Sequence, residues 1–142
     1  MIHKTAIIDP KAKISANVKI GAYSLIGPNV EIDENSEIQT HVSIVGNTKI
    51  GKNTYLDNQI HIAHNVVIGE NSIIAGQVGI AGSSIIGNNV KIGGQAGISG
   101  HLKIGNNVEI AGGSGVIKDI PDNSKVMGYP AKSIREFLRE NR

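Results

Sequence analysis

The sequence predicts an all-β protein: a triangular parallel β-helix of six-residue repeats, closed by a short C-terminal α-helix. Three observations predict it. From Met1 to Ile120 the chain divides into 20 consecutive hexads with no insertion. The second position of the hexad is Ile in 18 of them, with Leu56 and Val116 as the other two. Aromatic residues make up only 3% of the chain, whereas Ile occurs 25 times and Gly 18 times. A core built from β-branched side chains and tight turns, without rings, fits many short strands.

A period of six matches neither the alternation of a plain strand nor the 3.6 of a helix. It holds one short strand and one corner. The second-position Ile points inward. The sixth position is always Ala, Ser, Thr, Val, Leu or Ile, and a small residue there fits a tight corner. The fifth position is Asn in nine hexads, because Asn tolerates the left-handed backbone that a corner demands. Three hexads make one triangular coil of 18 residues. Stacked coils set Ile on Ile and pair parallel strands about 4.8 Å apart. Twenty hexads give about 6.7 coils, a prism roughly 30 Å tall at that spacing.

Pro121 ends the repeat after Ile120, and Asp122–Tyr129 reads as a loop. Ser133-Ile134-Arg135-Glu136 is a capping-box signature, so a helix is expected at about 133–141. Ile134, Phe137 and Leu138 share one face of it and are expected to pack on the last coil or a neighbour. The chain therefore divides into a β-helix at 1–120 and a loop-and-helix tail at 121–142.

Charge divides at the same place. Residues 1–120 carry nine Lys against nine Asp and Glu, while residues 121–142 carry five basic and three acidic residues and every Arg. A net charge of +2 is too small to argue for nucleic acid. The absence of Cys excludes disulfides, thiolate metal sites and a Cys nucleophile, and fits a cytoplasmic location. No apolar run approaches the roughly 18 residues of a membrane span, and Met1-Ile2-His3-Lys4 does not open a signal peptide.

Periodicity sorts the five histidines. His61 and His64 lie in the eleventh hexad and His101 in the seventeenth, on one face of the prism and two coils apart. None occupies an inward position. Between them runs Gly79-Ile80-Ala81-Gly82-Ser83-Ser84, whose outward residues are all small. Gly82 follows His64 by 18 residues, one coil along in the same slot. That pattern suits acyl transfer. An imidazole titrating near neutrality can take a proton from an amine or hydroxyl. A glycine N–H can donate to a tetrahedral oxyanion. The bare floor leaves room for a thin pantetheine arm or for a second subunit. Plainer readings stand beside this one. His41 and His101 fill slots that Asn holds elsewhere, and His also tolerates a left-handed corner. His3 and His41 are read as structural. A metal held by His61 and His64 is disfavoured, because a spacing of three puts them on opposite sides of a strand end and no third ligand is near.

His61-Ile62-Ala63-His64-Asn65, Gly79-Ile80-Ala81-Gly82-Ser83 and Gly97-Ile98-Ser99-Gly100-His101, together with Leu56-Asp57-Asn58, resemble the catalytic coils of the UDP-3-O-(3-hydroxyacyl)glucosamine N-acyltransferases (LpxD) of lipid A biosynthesis. Gly128-Tyr129-Pro130-Ala131-Lys132 resembles the segment that follows the repeat in that family and in many hexapeptide acyltransferases. The resemblance spans about residues 2–140. It implies a left-handed β-helix, a homotrimer and a site between subunits. It implies that His64 is the general base on the glucosamine 2-amine and that the Gly82 amide is the oxyanion donor. His101 would position substrate, with His61 and Asn58 as further substrate contacts. No cofactor would be resident. The donor would be the phosphopantetheine thioester of acyl-carrier protein, or CoA, and Lys132, Arg135 and Arg139 would meet the carrier. The related first acyltransferase of the pathway (LpxA) carries His where this chain has Ser83, so Ser83 and His101 favour the N-acyltransferase. The resembled family also has a separate N-terminal uridine-binding domain, to which nothing here corresponds, since the repeat starts at Met1.

Three other functions fit the residues less closely. A CoA-dependent sugar acetyltransferase shares the base and the groove. A non-catalytic β-helical scaffold leaves the bare floor beside His64 unexplained. A γ-carbonic-anhydrase-like zinc enzyme conflicts with the histidine spacing.

Overall fold

A computed structural model describes all 142 residues. From the second hexad on, the first two residues form a two-residue strand, such as Ile7–Ile8, Lys13–Ile14 and Lys19–Ile20, and the remaining four form the corner. Strands pair in parallel with partners 18 residues on, as His61 does with Gly79 and Lys49 with Val67. The product is a left-handed parallel β-helix with three sheets of seven, six and eight strands.

The repeat explains the core. Every second-position residue from Ile20 to Ile110 is at most 3% exposed. The sixth position closes the remaining space, with Val30, Val66 and Val108 at some corners and buried hydroxyls at others. A buried hydroxyl is costly unless it finds partners, and those of Ser24, Ser36, Thr48, Ser72 and Ser84 find two. Ser84 Oγ donates to the Ser99 carbonyl at 2.7 Å and accepts from the Leu102 amide at 3.2 Å. Ser114 Oγ alone is buried without a partner.

The fifth position is left-handed in every hexad from Asn17 to Asn107, with φ between 56° and 64°. An L-residue pays roughly 1–2 kcal/mol there and Asn pays least, which accounts for the Asn column. From Asn35 to Asn107 each such corner amide donates to the fourth-position carbonyl of the coil below. Asn65 donates to Gly46 at 3.1 Å, Ser83 to His64 at 2.9 Å and His101 to Gly82 at 3.0 Å.

The stack does not end at Ile120. Ile120 bridges Ile104, and Glu109–Ile110 pairs with Lys125–Val126, both at a spacing of 16 instead of 18. The corner at Ile117–Lys118 is two residues short, and Asp119–Ser124 then resumes as a full hexad with Asn123 left-handed at φ 61°. Ile120 is thus a second-position residue, not a sixth. The expected loop at 122–129 contains the strand Lys125–Met127, on which Lys132–Ser133 folds back antiparallel. The expected boundary at 120 therefore falls inside the stack.

The C-terminal helix runs from Ile134 to Glu140, and Ser133 Oγ accepts the Glu136 amide at 3.1 Å. Only part of its apolar face is covered. Ile134 borders a hollow on the eight-stranded sheet with Ile73, Ile92 and Ile110. Phe137 lies against Gly128, while Leu138 stays 53% exposed. No helix is long and apolar enough to cross a membrane.

Candidate active site

The register of the seven-stranded sheet sets His61 below Gly79, Gly97 and Gly115 in one outward column. Gly79 and Gly97 leave the backbone open, Gly115 lies buried under Tyr129, and together they leave a groove of about 460 Å³. His61 and Ala63 stand at its lower end, Ala81, Gly82 and Ser99 along its side, and Ile117 and Tyr129 at its upper end. The Tyr129 ring lies against Gly115 so closely that a Cβ there would overlap it. No charged side chain lines the groove.

His64 occupies the fourth position of its corner, and its ring reaches up over Gly82. A Cβ on Gly82 would stand 2.5 Å from His64 Nε2 and 2.7 Å from Cε1. A side chain at position 82 would therefore push the imidazole from its place over this backbone. The Gly82 N–H donates to no protein group, although its carbonyl accepts from His101. Behind the ring, His64 Nδ1 lies 3.0 Å from Asn65 Oδ1. In the tautomer that carries its hydrogen on Nδ1, the ring donates to that amide oxygen and a lone pair is left on Nε2. An imidazole nitrogen and an unspent N–H thus meet beside the groove, whose lining includes Gly82 but not His64. Such a pair can remove a proton from a nucleophile and receive the charge that develops on a carbonyl.

The other sequence-derived residues divide. His61 lines the groove. His101 sits two coils above Asn65 in the same left-handed column, is exposed, and does not line the groove. The shortened coil above cuts across its corner, so the Gly100 carbonyl receives no backbone amide. Asn58 lies at the opposite corner of the face. Its Oδ1 accepts from the Thr40 amide at 3.0 Å and the Thr40 hydroxyl at 3.1 Å. It clasps that corner and faces away from the groove lining. Lys132 is ion-paired with Glu140, and that carboxylate holds its ammonium above the ordinary lysine range. Arg135 and Arg139 make no ion pair. None of the three basic residues reaches the groove. No group of three metal-ligating side chains comes together anywhere. Asn65 escaped the sequence reading, because Asn in the fifth slot is the commonest feature of the repeat. Its position next to His64 was the only available signal.

Two family models match consecutive parts of the chain. Residues 1–82 match the GMPPB C-terminal domain, and residues 83–118 match the bacterial transferase hexapeptide (six repeats). The first match spans more than half of the chain. The chain belongs to the GMPPB C-terminal domain family. Its later coils, which hold Ser83 and His101, carry the transferase hexapeptide. No curated protein matches the chain. Among solved structures, UDP-N-acetylglucosamine O-acyltransferase (LpxA) from Moraxella catarrhalis is 27% identical, with a TM-score of 0.74 over 99% of this chain and 77% of that one. LpxA from Acinetobacter baumannii is also 27% identical, with a TM-score of 0.59 over 99% of this chain and 77% of that one. The acetyltransferase domain of PglB from Neisseria gonorrhoeae, in complex with acetyl coenzyme A, is 22% identical, with a TM-score of 0.65 over 94% of this chain and 56% of that one. At that identity it shows the fold alone. The transferase hexapeptide and the acyltransferase neighbours together make this chain an acyltransferase. The likeness covers hexapeptide acyltransferases broadly and stops short of the N-acyltransferase branch.

Proposed function

We propose that the chain moves a (3-hydroxy)acyl group from the phosphopantetheine thioester of acyl-carrier protein to the 2-amine of a UDP-glucosamine-type acceptor, as in lipid A biosynthesis. One observation carries the reading: His64 Nε2 stands over Gly82, whose N–H is unspent. The amine nitrogen attacks the thioester carbonyl carbon while Nε2 accepts its proton. The oxyanion accepts a hydrogen bond from the Gly82 N–H. The tetrahedral intermediate collapses, the C–S bond breaks, and the thiolate takes the proton from the imidazolium. Asn65 holds the Nδ1 hydrogen and stabilises the charged ring between these steps. His61 and His101 contact the acceptor in this reading, and Arg135 and Arg139 meet the carrier. The working assembly is a homotrimer with sites between subunits.

A second reading is O-acylation of a sugar-nucleotide hydroxyl, supported by the 27% identity to UDP-N-acetylglucosamine O-acyltransferase. The same base and oxyanion donor serve a hydroxyl equally well. The test supplies one acyl-carrier-protein thioester with either UDP-3-O-acylglucosamine or UDP-N-acetylglucosamine. Amide product that vanishes in His64→Ala supports the first reading. Ester product alone replaces it with the second, and neither product rejects both.

A further inference from the structure

A second set of unspent groups lies outside the groove, on the other corner of the same face. The fifth-position column there runs Thr5, Tyr23, His41, Gln59, Gln77, Gln95. Its upper part is spent, because Gln95 donates to Gln77 at 2.8 Å and Gln77 to Gln59 at 2.9 Å. The ladder stops at Gln59, whose own side-chain NH2 finds no acceptor in the protein. Two exposed rings follow below it. Tyr23 and His41 have centroids 5.3 Å apart and planes inclined by 34°. Neither the Tyr23 hydroxyl nor a His41 ring nitrogen is hydrogen-bonded within the protein. The backbone disfavours rings at this place. Both residues are left-handed at φ 58°, a conformation that Asn tolerates and bulky residues resist. Ten of the 17 non-glycine residues at positive φ are Asn, so rings in two successive coils run against the local preference. Core packing does not account for them either, since Tyr23 is 62% exposed.

We propose that Tyr23 and His41 form a stacking platform for the pyrimidine base of a nucleoside-diphosphate acceptor. That the ligand is the acceptor rests on the acyl-transfer reading above. The platform is a further site for it. Aromatic faces left in water hold an unpaired base by stacking. The groups around them match the edge of a pyrimidine. The Gln59 NH2 and the Tyr23 hydroxyl can donate to its ring carbonyls, and a His41 nitrogen can accept from its N–H. The position fits as well. Five residues separate Gln59 from His64, so the two corners are at most roughly 18 Å apart. His41 lies one coil below Gln59, about 4.8 Å lower. His61 stands outward on the face between the corners. A ligand stacked at Tyr23 and His41 can cross the face with its diphosphate over His61 and its sugar end at His64. It enters beneath the glycine column and leaves that column free for the donor.

The test measures UDP binding by calorimetry, KM for the UDP-sugar acceptor, and melting temperature. It compares wild type, Tyr23→Asn, His41→Asn and the double variant. Asn is the residue this slot favours, so the fold is kept and melting should hold or rise. Wild type is expected to bind UDP. The double variant should bind it roughly 10- to 100-fold more weakly, the factor that one lost base stack supplies. KM for the acceptor should rise by a similar factor. Wild type that binds no UDP overturns the inference. An affinity unchanged in the double variant overturns it too, and a lower melting temperature alongside would make the rings a brace for the corner. The two readings fail separately. UDP binding that depends on the rings, without acyl transfer to any acceptor, removes the acyl-transfer reading and leaves the platform as a nucleotide site. Acyl transfer with a UDP affinity indifferent to the rings removes the platform alone.

Discussion

Two corners flank the groove face, and they are close to identical in pattern. One runs His64, Gly82, Gly100 up its fourth-position column. The other runs Asn58, Gly76, Gly94, Gly112. Each places one polar side chain beneath a column of glycines. They differ in how that side chain is used. At the second corner Asn58 turns down and is consumed by Thr40, and the neighbouring Gln59, Gln77 and Gln95 zip into a ladder at 2.9 and 2.8 Å. At the first, His64 turns up over glycine, commits only Nδ1 to Asn65, and leaves Nε2 and the Gly82 N–H unspent. Polar groups bonded within the fold stabilise it, and groups left unspent in a groove are available to a substrate. Repeat spacing alone does not separate the two cases.

The largest expected effect breaks the first corner. His64→Ala should reduce kcat by roughly 10²- to 10⁴-fold, the usual contribution of a positioned general base. The melting temperature should hardly move, because His64 is exposed and its ring supports nothing above it. A variant that melts much earlier would place His64 with the structural corner instead. Gly82→Ala comes next. The added methyl collides with the imidazole and covers the free amide. Kcat should fall by roughly 10- to 10³-fold, with removal of an oxyanion donor setting the upper end. If Gly82→Ala keeps full activity, the amide is not the donor.

Asn65 sharpens the comparison from within. Asn65→Ala removes the Nδ1 partner and also loses the residue best suited to φ 56°, so stability and kcat should both fall. Asn65→Asp keeps the acceptor and much of the tolerance for a left-handed backbone. A carboxylate beside Nδ1 should raise the imidazole pKa and shift the acid limb of the kcat profile to higher pH. A pH profile that stays fixed in Asn65→Asp would reduce Asn65 to a corner residue. At the opposite corner Asn58→Ala should cost about 1 kcal/mol, the typical worth of a lost hydrogen bond, and lower the melting temperature by a few degrees. Kcat should stay as in wild type.

Most of the fold was legible because the signal is one residue type in one slot. An inward Ile every six residues leaves no other way to bury it, and the left-handed fifth slot confirmed itself at each Asn. The final coil was misread for the same reason. Counting in sixes carried Ile120 into a sixth position, whereas Asp119-Ile-Pro-Asp-Asn-Ser is a hexad in a new frame. Asn123 and Ser124 in the fifth and sixth slots were the available sign of the two-residue step. The site was legible where it depends on register, as His64 and Gly82 do, 18 residues apart. It was not legible where it depends on rotamers. Asn58 and His64 share a slot, and only the direction in which each side chain turns gives them different work.

The tail repeats the contrast with cations. Lys132 is held by Glu140, while Arg135 and Arg139 carry no partner. If the rule of spent and unspent groups holds here, the two kinds of substitution should separate. Arg135→Glu with Arg139→Glu should raise KM for an acyl-carrier-protein donor and leave melting unchanged. Glu140→Gln should leave KM unchanged and lower melting by a small amount, since an exposed pair contributes little. The pH dependence identifies the cause. Glu140 raises the Lys132 pKa above its usual 10.5. A raised lysine stabilises the folded state fully below the unfolded value and loses that contribution as pH climbs through the folded one. The melting difference between wild type and Glu140→Gln should therefore be flat from pH 7 to pH 9 and shrink above about 10.5. A difference that persists undiminished in strong alkali would mean that Glu140 holds the helix by packing, and that Lys132 is as unspent as the arginines beside it.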